Sequence, residues 1–161
     1  MTVTAVPTAG EMMQTHVVSV SENDSLREAL MLMTEHHVHG LPVTDAQDTV
    51  VGVITATDIL QYEEEVVEST EGQPESLGSY FDPQNQSWET VRMLNDIDDL
   101  PSAKIRDVMS PDVISVTSDT DARVVARKMR CHDVHRVLVL NESRQLLGII
   151  SAFDFVKLFA T

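Results

Sequence analysis

Met13 and Met109 stand 96 residues apart, and the same offset superposes the residues that follow each of them. VVSV at 17–20 falls on VISV at 113–116, and VHGLPV at 38–43 falls on VHRVLV at 134–139. Met33 falls on Met129, His36 on His132, Gly52 on Gly148 and Asp58 on Asp154, with no insertion anywhere. A gapless internal repeat constrains the fold strongly, because each copy is one supersecondary unit that needs its partner to bury a face.

Both copies read in the same order. A β-branched run, Val17–Val20 or Val113–Val116, predicts a strand. An amphipathic helix follows. Leu26, Ala29, Leu30 and Met33 recur at helical spacing, as do Ala122, Val125, Ala126 and Met129. Asp24 or Ser25 can cap the first helix, and Asp119 or Asp121 the second. Two strands come next, Leu41–Thr44 and Val50–Thr55, matched by Val137–Leu140 and Leu146–Ser151. The polar stretches DAQD and NESR turn between them. A second helix starts after Thr55 or Ser151. The expectation is an α+β fold with strand, helix, strand, strand, helix occurring twice.

Divided this way, the chain has a first repeat at 10–70, a connector at 71–104 and a second repeat at 105–161. Gln61–Ser69, with its acidic run Glu63–Glu65, extends the helix as a solvated face. Residues 71–86 are rich in turn formers and read as a loop, Trp88–Leu94 as a short helix, and DIDDLP at 96–101 as extended. The connector is a solvated link or, around Tyr80, Phe81 and Trp88, a partner surface.

The formal net charge of −15 disfavours nucleic acid and anionic membrane as partners, since phosphate binding needs clustered Lys and Arg. No run approaches the roughly 20 apolar residues of a membrane span. Cys131 is the only cysteine, so an internal disulfide is excluded. These features predict a soluble, cytoplasmic protein, with Cys131 as a half-buried filler. Met12, Met13, Met31 and Met33 read as core fillers.

The doubled stretches GVITATD at 52–58 and GIISAFD at 148–154 carry the chemistry. Thr55 or Ser151, followed three residues later by Asp58 or Asp154, resembles a capping box, in which Glu or Gln is more usual at the last position. A cap alone would account for both residues. Yet a helix N-terminus also presents free N–H groups and the positive end of a dipole to a phosphate. A neighbouring carboxylate suits the two hydroxyls of a ribose. His135 and Arg136 stand at a strand entry beside the second copy, and an Arg fork there is a candidate anion clamp in so acidic a chain. A surface Arg paired with Asp133 is the alternative.

Taken in order, IRDVMSPDVISV, the helix ending at Met129, VHRVLVL and GIISAFDFVKL resemble a pair of CBS domains, the Bateman module, over about 10–60 and 105–159. VHRVLVL is similar to the corresponding strand of the AMP-activated protein kinase gamma subunit. The resemblance implies tandem β-α-β-β-α repeats packed sheet to sheet by a pseudo-two-fold, with two clefts for adenosine ligands. It implies that Asp58 and Asp154 take ribose hydroxyls and that Thr55 and Ser151 face the ribose–phosphate region. His135 and Arg136 would meet phosphates. Backbone of Val18, Ser19, Ile114 and Ser115, with the side chains of Pro42 and Val137, would line the adenine slot. Gly40 stands where the first repeat would have the Arg, so the clefts should be unequal, with the second copy the stronger.

The resemblance implies a regulatory sensor of AMP, ADP or ATP, or of S-adenosylmethionine, acting by a change of shape or association. It further implies a homodimer, no catalytic cofactor and no enzymatic activity. The alternative is a module that regulates an enzyme or transporter through protein contacts without nucleotide. A metal-dependent enzyme is disfavoured, because His36, His37, His39, Cys131, His132 and His135 match no four-ligand zinc spacing.

Overall fold

The computed structural model describes residues 5–69, 77–82, 87–92 and 103–160. A one-turn helix, α1 (Ala9–Met12), precedes the first repeat: β1 (Val20–Ser21), α2 (Leu26–Glu35), β2 (Gly40–Thr44), β3 (Val50–Thr55) and α3 (Ala56–Ser69). A hairpin follows, β4 (Leu77–Asp82) and β5 (Ser87–Arg92). A second one-turn helix, α4 (Ile105–Val108), leads into β6 (Ser115–Val116), α5 (Ala122–His132), β7 (Arg136–Leu140), β8 (Leu146–Ser151) and α6 (Ala152–Phe159).

The two repeats build the same sheet. β1 runs parallel to β2 and β2 antiparallel to β3, with Val20 opposite Val43 and Leu41 opposite Ile54. β6, β7 and β8 repeat this with Val116 opposite Val139 and Val137 opposite Ile150. Both sheets carry a register irregularity at equivalent places, Val43/Thr44 and Val139/Leu140. The local rules behind α2 and α5 are the expected ones. Ser25 accepts from the Glu28 N–H, and Asp121 from the Arg123 N–H.

Strand alternation divides the side chains between two faces. Leu41, Val43 and Ile54 pack against Leu26, Ala29 and Met33 of α2. Val137, Val139 and Ile150 pack against Val125 and Met129 of α5. The opposite faces meet each other, where Val50, Leu138 and Leu140 cluster with Val113, Leu146 and Ile149. Backbone bonds tie the same edge, with the Val50 N–H donating to the Arg144 carbonyl at 2.9 Å.

The one-turn helices were absent from the expected pattern, and each serves the other repeat. Ala9 of α1 is fully buried in the second core, and its N–H donates to the Thr120 carbonyl. Ile105 of α4 is fully buried in the first core, and its N–H donates to the Asp24 carbonyl. Beyond each helix the chain adds to a sheet edge, Gln14 pairing with Ile149 and Ser110 with Val53. Residues 15–19 and 111–114 must then cross back to the sheet of their own repeat. That crossing shortens the first strands from the expected 17–20 and 113–116 to Val20–Ser21 and Ser115–Val116.

The crossings also account for the glycines of the doubled motif. A Cβ on Gly52 would lie 2.7 Å from the Ser110 carbonyl oxygen, and one on Gly148 would lie 2.7 Å from that of Gln14. Only a residue without a side chain lets the crossing segment approach so closely.

Five other expectations need correction. Within the expected loop, residues 77–82 are a strand, and residues 88–92 of the expected helix belong to strand β5; the rest of both segments lies outside the described residues. Tyr80, Phe81, Trp88, Thr90 and Val91 favour a pleated ladder, and a helix of seven residues has little to hold it. DIDDLP at 96–101 lies outside the described residues. Ala126 is exposed, because the core-facing stripe of α5 is narrow and runs through Ala122, Val125 and Met129. Met31 is 52% exposed and Cys131 is exposed, both on the outer faces of their helices.

Candidate ligand site between the two sheets

The inter-sheet faces do not close completely. They leave a cavity of about 720 Å³. Its apolar wall follows from the alternation already described: Pro42 and Val53 from the first sheet, Leu138 and Ile149 from the second. Val113 and Ile114, on the second crossing segment, close one side. Polar groups enter at the strand and helix ends. His39, His135 and Arg136 stand at the entries of β2 and β7, and Thr55 and Ser151 at the starts of α3 and α6.

Two helix N-termini therefore reach one cavity, together with a guanidinium and two imidazoles. His39, His135 and Arg136 are exposed, and among the described residues Arg136 makes no ion pair, with Asp133 or any other acid. The cavity thus offers an apolar slab to a flat ring and donors to an anion, in a chain whose net charge is −15. Asp112 is the one carboxylate in its wall.

The two capping boxes differ in how much of the carboxylate they use. Asp58 Oδ2 accepts from the Thr55 N–H at 2.8 Å, and the Asp58 N–H donates to Thr55 Oγ1 at 3.2 Å. Asp154 is 5% exposed and fully engaged. Its Oδ2 accepts from the Ser151 N–H at 2.8 Å and from Ser151 Oγ at 3.0 Å. Its Oδ1 accepts from Gln14 Nε2 and from Lys157 Nζ, each at 3.0 Å. Burial pushes the Asp154 carboxyl up, but the Ser151 N–H, Gln14, Lys157 and the Ser151 hydroxyl outweigh it and hold it down to about 2.

Of the residues expected from sequence, the cavity brings together Pro42, Thr55, Ile114, His135, Arg136 and Ser151. Asp58 and Asp154 sit one helical turn behind Thr55 and Ser151, outside its wall. Val137 is buried in the second core, and the β7 side chain that faces the cavity is Leu138. The Ser115 carbonyl accepts from Lys128 Nζ. Val18 packs against the first core and Ser19 is exposed, both on the crossing opposite the one that lines the cavity.

Sequence reasoning weighed His39 only as a metal ligand and passed over Asp112, Phe153 and Gln14. His39 was readable, since the repeat offset places it on His135. Gln14 was not, because its partner Asp154 is 140 residues away. Among the described residues no group of three or more His, Cys, Asp or Glu could hold a metal, and no helix is long and apolar enough to cross a membrane.

Two three-stranded sheets, each built from a β-α-β-β-α repeat and packed face to face, define the class as a tandem α+β pair. The chain belongs to the CBS domain family, whose model matches residues 9–65 and 105–161. It is 26% identical over 155 residues to the inosine-5′-monophosphate dehydrogenase of Methanocaldococcus jannaschii, covering 96% of this chain and 24% of that one. It is 29% identical over 143 residues to the CBS domain-containing protein CBSX2, chloroplastic, of Arabidopsis thaliana, covering 88% of this chain and 57% of that one. The chain thus spans a quarter to just over half of these relatives.

The crystal structure of CBSX2 in complex with AMP matches with a TM-score of 0.68 at 23% identity, covering 95% of this chain and 96% of that one. The CBS domain pair of protein MJ0100, in complex with 5′-methylthioadenosine and S-adenosyl-L-methionine, matches at 0.65 and 19% identity, covering 96% of each chain.

Proposed function

We propose that this chain is a regulatory module that takes an adenine nucleotide, AMP, ADP or ATP, into the inter-sheet cavity. The observation that carries this reading is the convergence of Arg136, His135, His39 and two helix N-termini on an apolar cavity of about 720 Å³. The purine stacks between Pro42, Ile114 and Leu138, and the phosphate meets Arg136, His135 and the positive N-terminal ends of α3 and α6 beside Thr55 and Ser151. The AMP complex of CBSX2 supports this choice, and the MJ0100 complex supports S-adenosylmethionine as the competing ligand. Binding biases the packing of the two repeats or of two chains, and the output is regulation rather than catalysis.

Isothermal titration with AMP, ATP and S-adenosylmethionine, alongside thermal melts, tests the reading. A ligand present at 100 times its Kd should add about 2.7 kcal/mol. Arg136→Ala should weaken the phosphorylated ligands about tenfold and spare S-adenosylmethionine. If none of these ligands binds at millimolar concentration, nucleotide sensing is refuted.

A second reading, contact with another protein chain, draws on α6. Phe153, Val156 and Phe159 are 64%, 55% and 88% exposed on this eight-residue helix. A homodimer in the cytoplasm would cover them. Phe159→Ser should then lower the mass measured by light scattering from dimer to monomer.

A further inference from the structure

The repeat offset gives each capping carboxylate an equivalent neighbourhood, and the two neighbourhoods differ in chemistry. Gln14 and Ser110 are equivalent, as are Lys157 and Gln61. Gln14 is held by paired backbone bonds to Ile149, 2.9 and 3.0 Å long, which places its side chain beside Asp154. Ser110 is held in the same way on Val53, but its hydroxyl accepts from the Asp112 N–H and does not reach Asp58.

A carboxylate has about four lone-pair sites. Asp154 has a donor on each: the Ser151 N–H, the Ser151 hydroxyl, Gln14 Nε2 and Lys157 Nζ. Among the described residues, the only donor on the Asp58 carboxylate is the Thr55 N–H. Asp58 is also half-buried where Asp154 is buried. A vicinal diol needs two open acceptor sites, and only Asp58 offers them.

We infer that Gln14 latches Asp154 shut, so that Asp58 is the carboxylate open to a ribose and the chain binds one adenosine ligand rather than two. The inference rests on the nucleotide reading above and reverses the order of the two copies expected from Arg136. Gln14 is the positioning residue. Lys157, whose side chain is 55% exposed, can swing into water, whereas the backbone of Gln14 is tied to the sheet.

Titration calorimetry with AMP tests it on the whole chain. The wild type should take up one equivalent, and Asp58→Asn should weaken it at least about tenfold, the cost of losing hydrogen bonds to a charged acceptor. Gln14→Ala should bring in a second equivalent, which should survive in the Gln14→Ala/Asp58→Asn double variant. Two equivalents in the wild type, a silent Asp58→Asn, or a Gln14→Ala variant that stays at one would overturn the inference while leaving nucleotide binding intact. A wild type that takes up no AMP, ATP or S-adenosylmethionine refutes the nucleotide reading instead. The latch then has its own readout: the Gln14 side-chain amide in a ¹⁵N spectrum should be slow to exchange and should move in Asp154→Asn but not in Asp58→Asn. An amide that exchanges like a free glutamine would sink it with or without ligand.

Discussion

Gln14 Nε2 lies 3.0 Å from Asp154 Oδ1, joining the crossing segment ahead of the first repeat to the last helix of the second. The contact exists because the chain crosses between the sheets twice. The first crossing carries Gln14 onto β8 and α1 into the second core. The second crossing carries α4 into the first core. Neither repeat is complete without residues supplied from outside it, so the two should fold as one unit.

The Asp154 network gives stability a defined acid dependence. Its carboxyl titrates near 2 in the fold and near 3.8 when unfolded. A depressed folded value means that the contribution is present above about pH 4 and is lost as pH falls through about 2. Asp154 is 5% exposed, so the contribution is little screened and amounts to about 2 kcal/mol. Urea titrations at pH 6 and pH 2.5 should show the loss, and Asp154→Asn should remove most of this difference. Equal pH dependence in the variant would show that other carboxylates carry it.

The legible parts of this fold were local and periodic. β3 and β8 match the expected bounds because alternation ends sharply at Thr55 and Ser151, where the period changes to helical. Ser25 and Asp121 were readable as caps because a cap acts within three residues. The exchanged helices were not readable. AGEM and IRDV are too short to show a period, and what holds Ala9 and Ile105 is a core that begins at Val116 for the one and ends at Ile59 for the other, far off in the chain. The candidate site divides in the same way. Thr55 and Ser151 announce themselves by type and repetition, and Arg136 by its charge in an acidic chain. The change from Val137 to Leu138 depends on which face of β7 looks at the other sheet, and a strand's own sequence does not say which.

Glycine at 52 and 148 is fixed by the crossing segments. Gly52→Ala or Gly148→Ala would press a methyl group to 2.7 Å from a carbonyl oxygen that is itself hydrogen-bonded into the sheet. Neither backbone can retreat without losing its pair of bonds. Each variant should lose about 1–3 kcal/mol, measured as a lower urea midpoint at unchanged slope. A neutral result would mean that the crossing segments lie farther from the strands.

His37, Asp48, Asp133 and Arg144 have φ between 52° and 60°, and the repeat offset pairs His37 with Asp133 and Asp48 with Arg144. Asp and His tolerate this region, but at Arg144 it costs strain of about 1–3 kcal/mol. Glycine would relieve the strain at about 0.5–1 kcal/mol of extra unfolded entropy. Arg144 is exposed in the turn before β8, so Arg144→Gly changes little else there. Its N–H bond to the Asn141 carbonyl remains. The variant should gain about 1 kcal/mol and melt a few degrees higher, whereas Asp48→Gly should gain less.

The exchange of α1 and α4 predicts how the chain unfolds. Ile105 is fully buried in a core whose other buried residues all belong to the first repeat. Ile105→Ala should cost about 2–5 kcal/mol, yet the loss should appear as one transition for the whole chain. A fragment limited to residues 9–65 lacks Ile105 and presents Ala9 to no partner, so it should not fold by itself. Circular dichroism of that fragment, compared with the full chain, checks this. A cooperative melt of the fragment alone, or two separate transitions in the Ile105→Ala variant, would mean that each repeat holds its own core without the crossing helices.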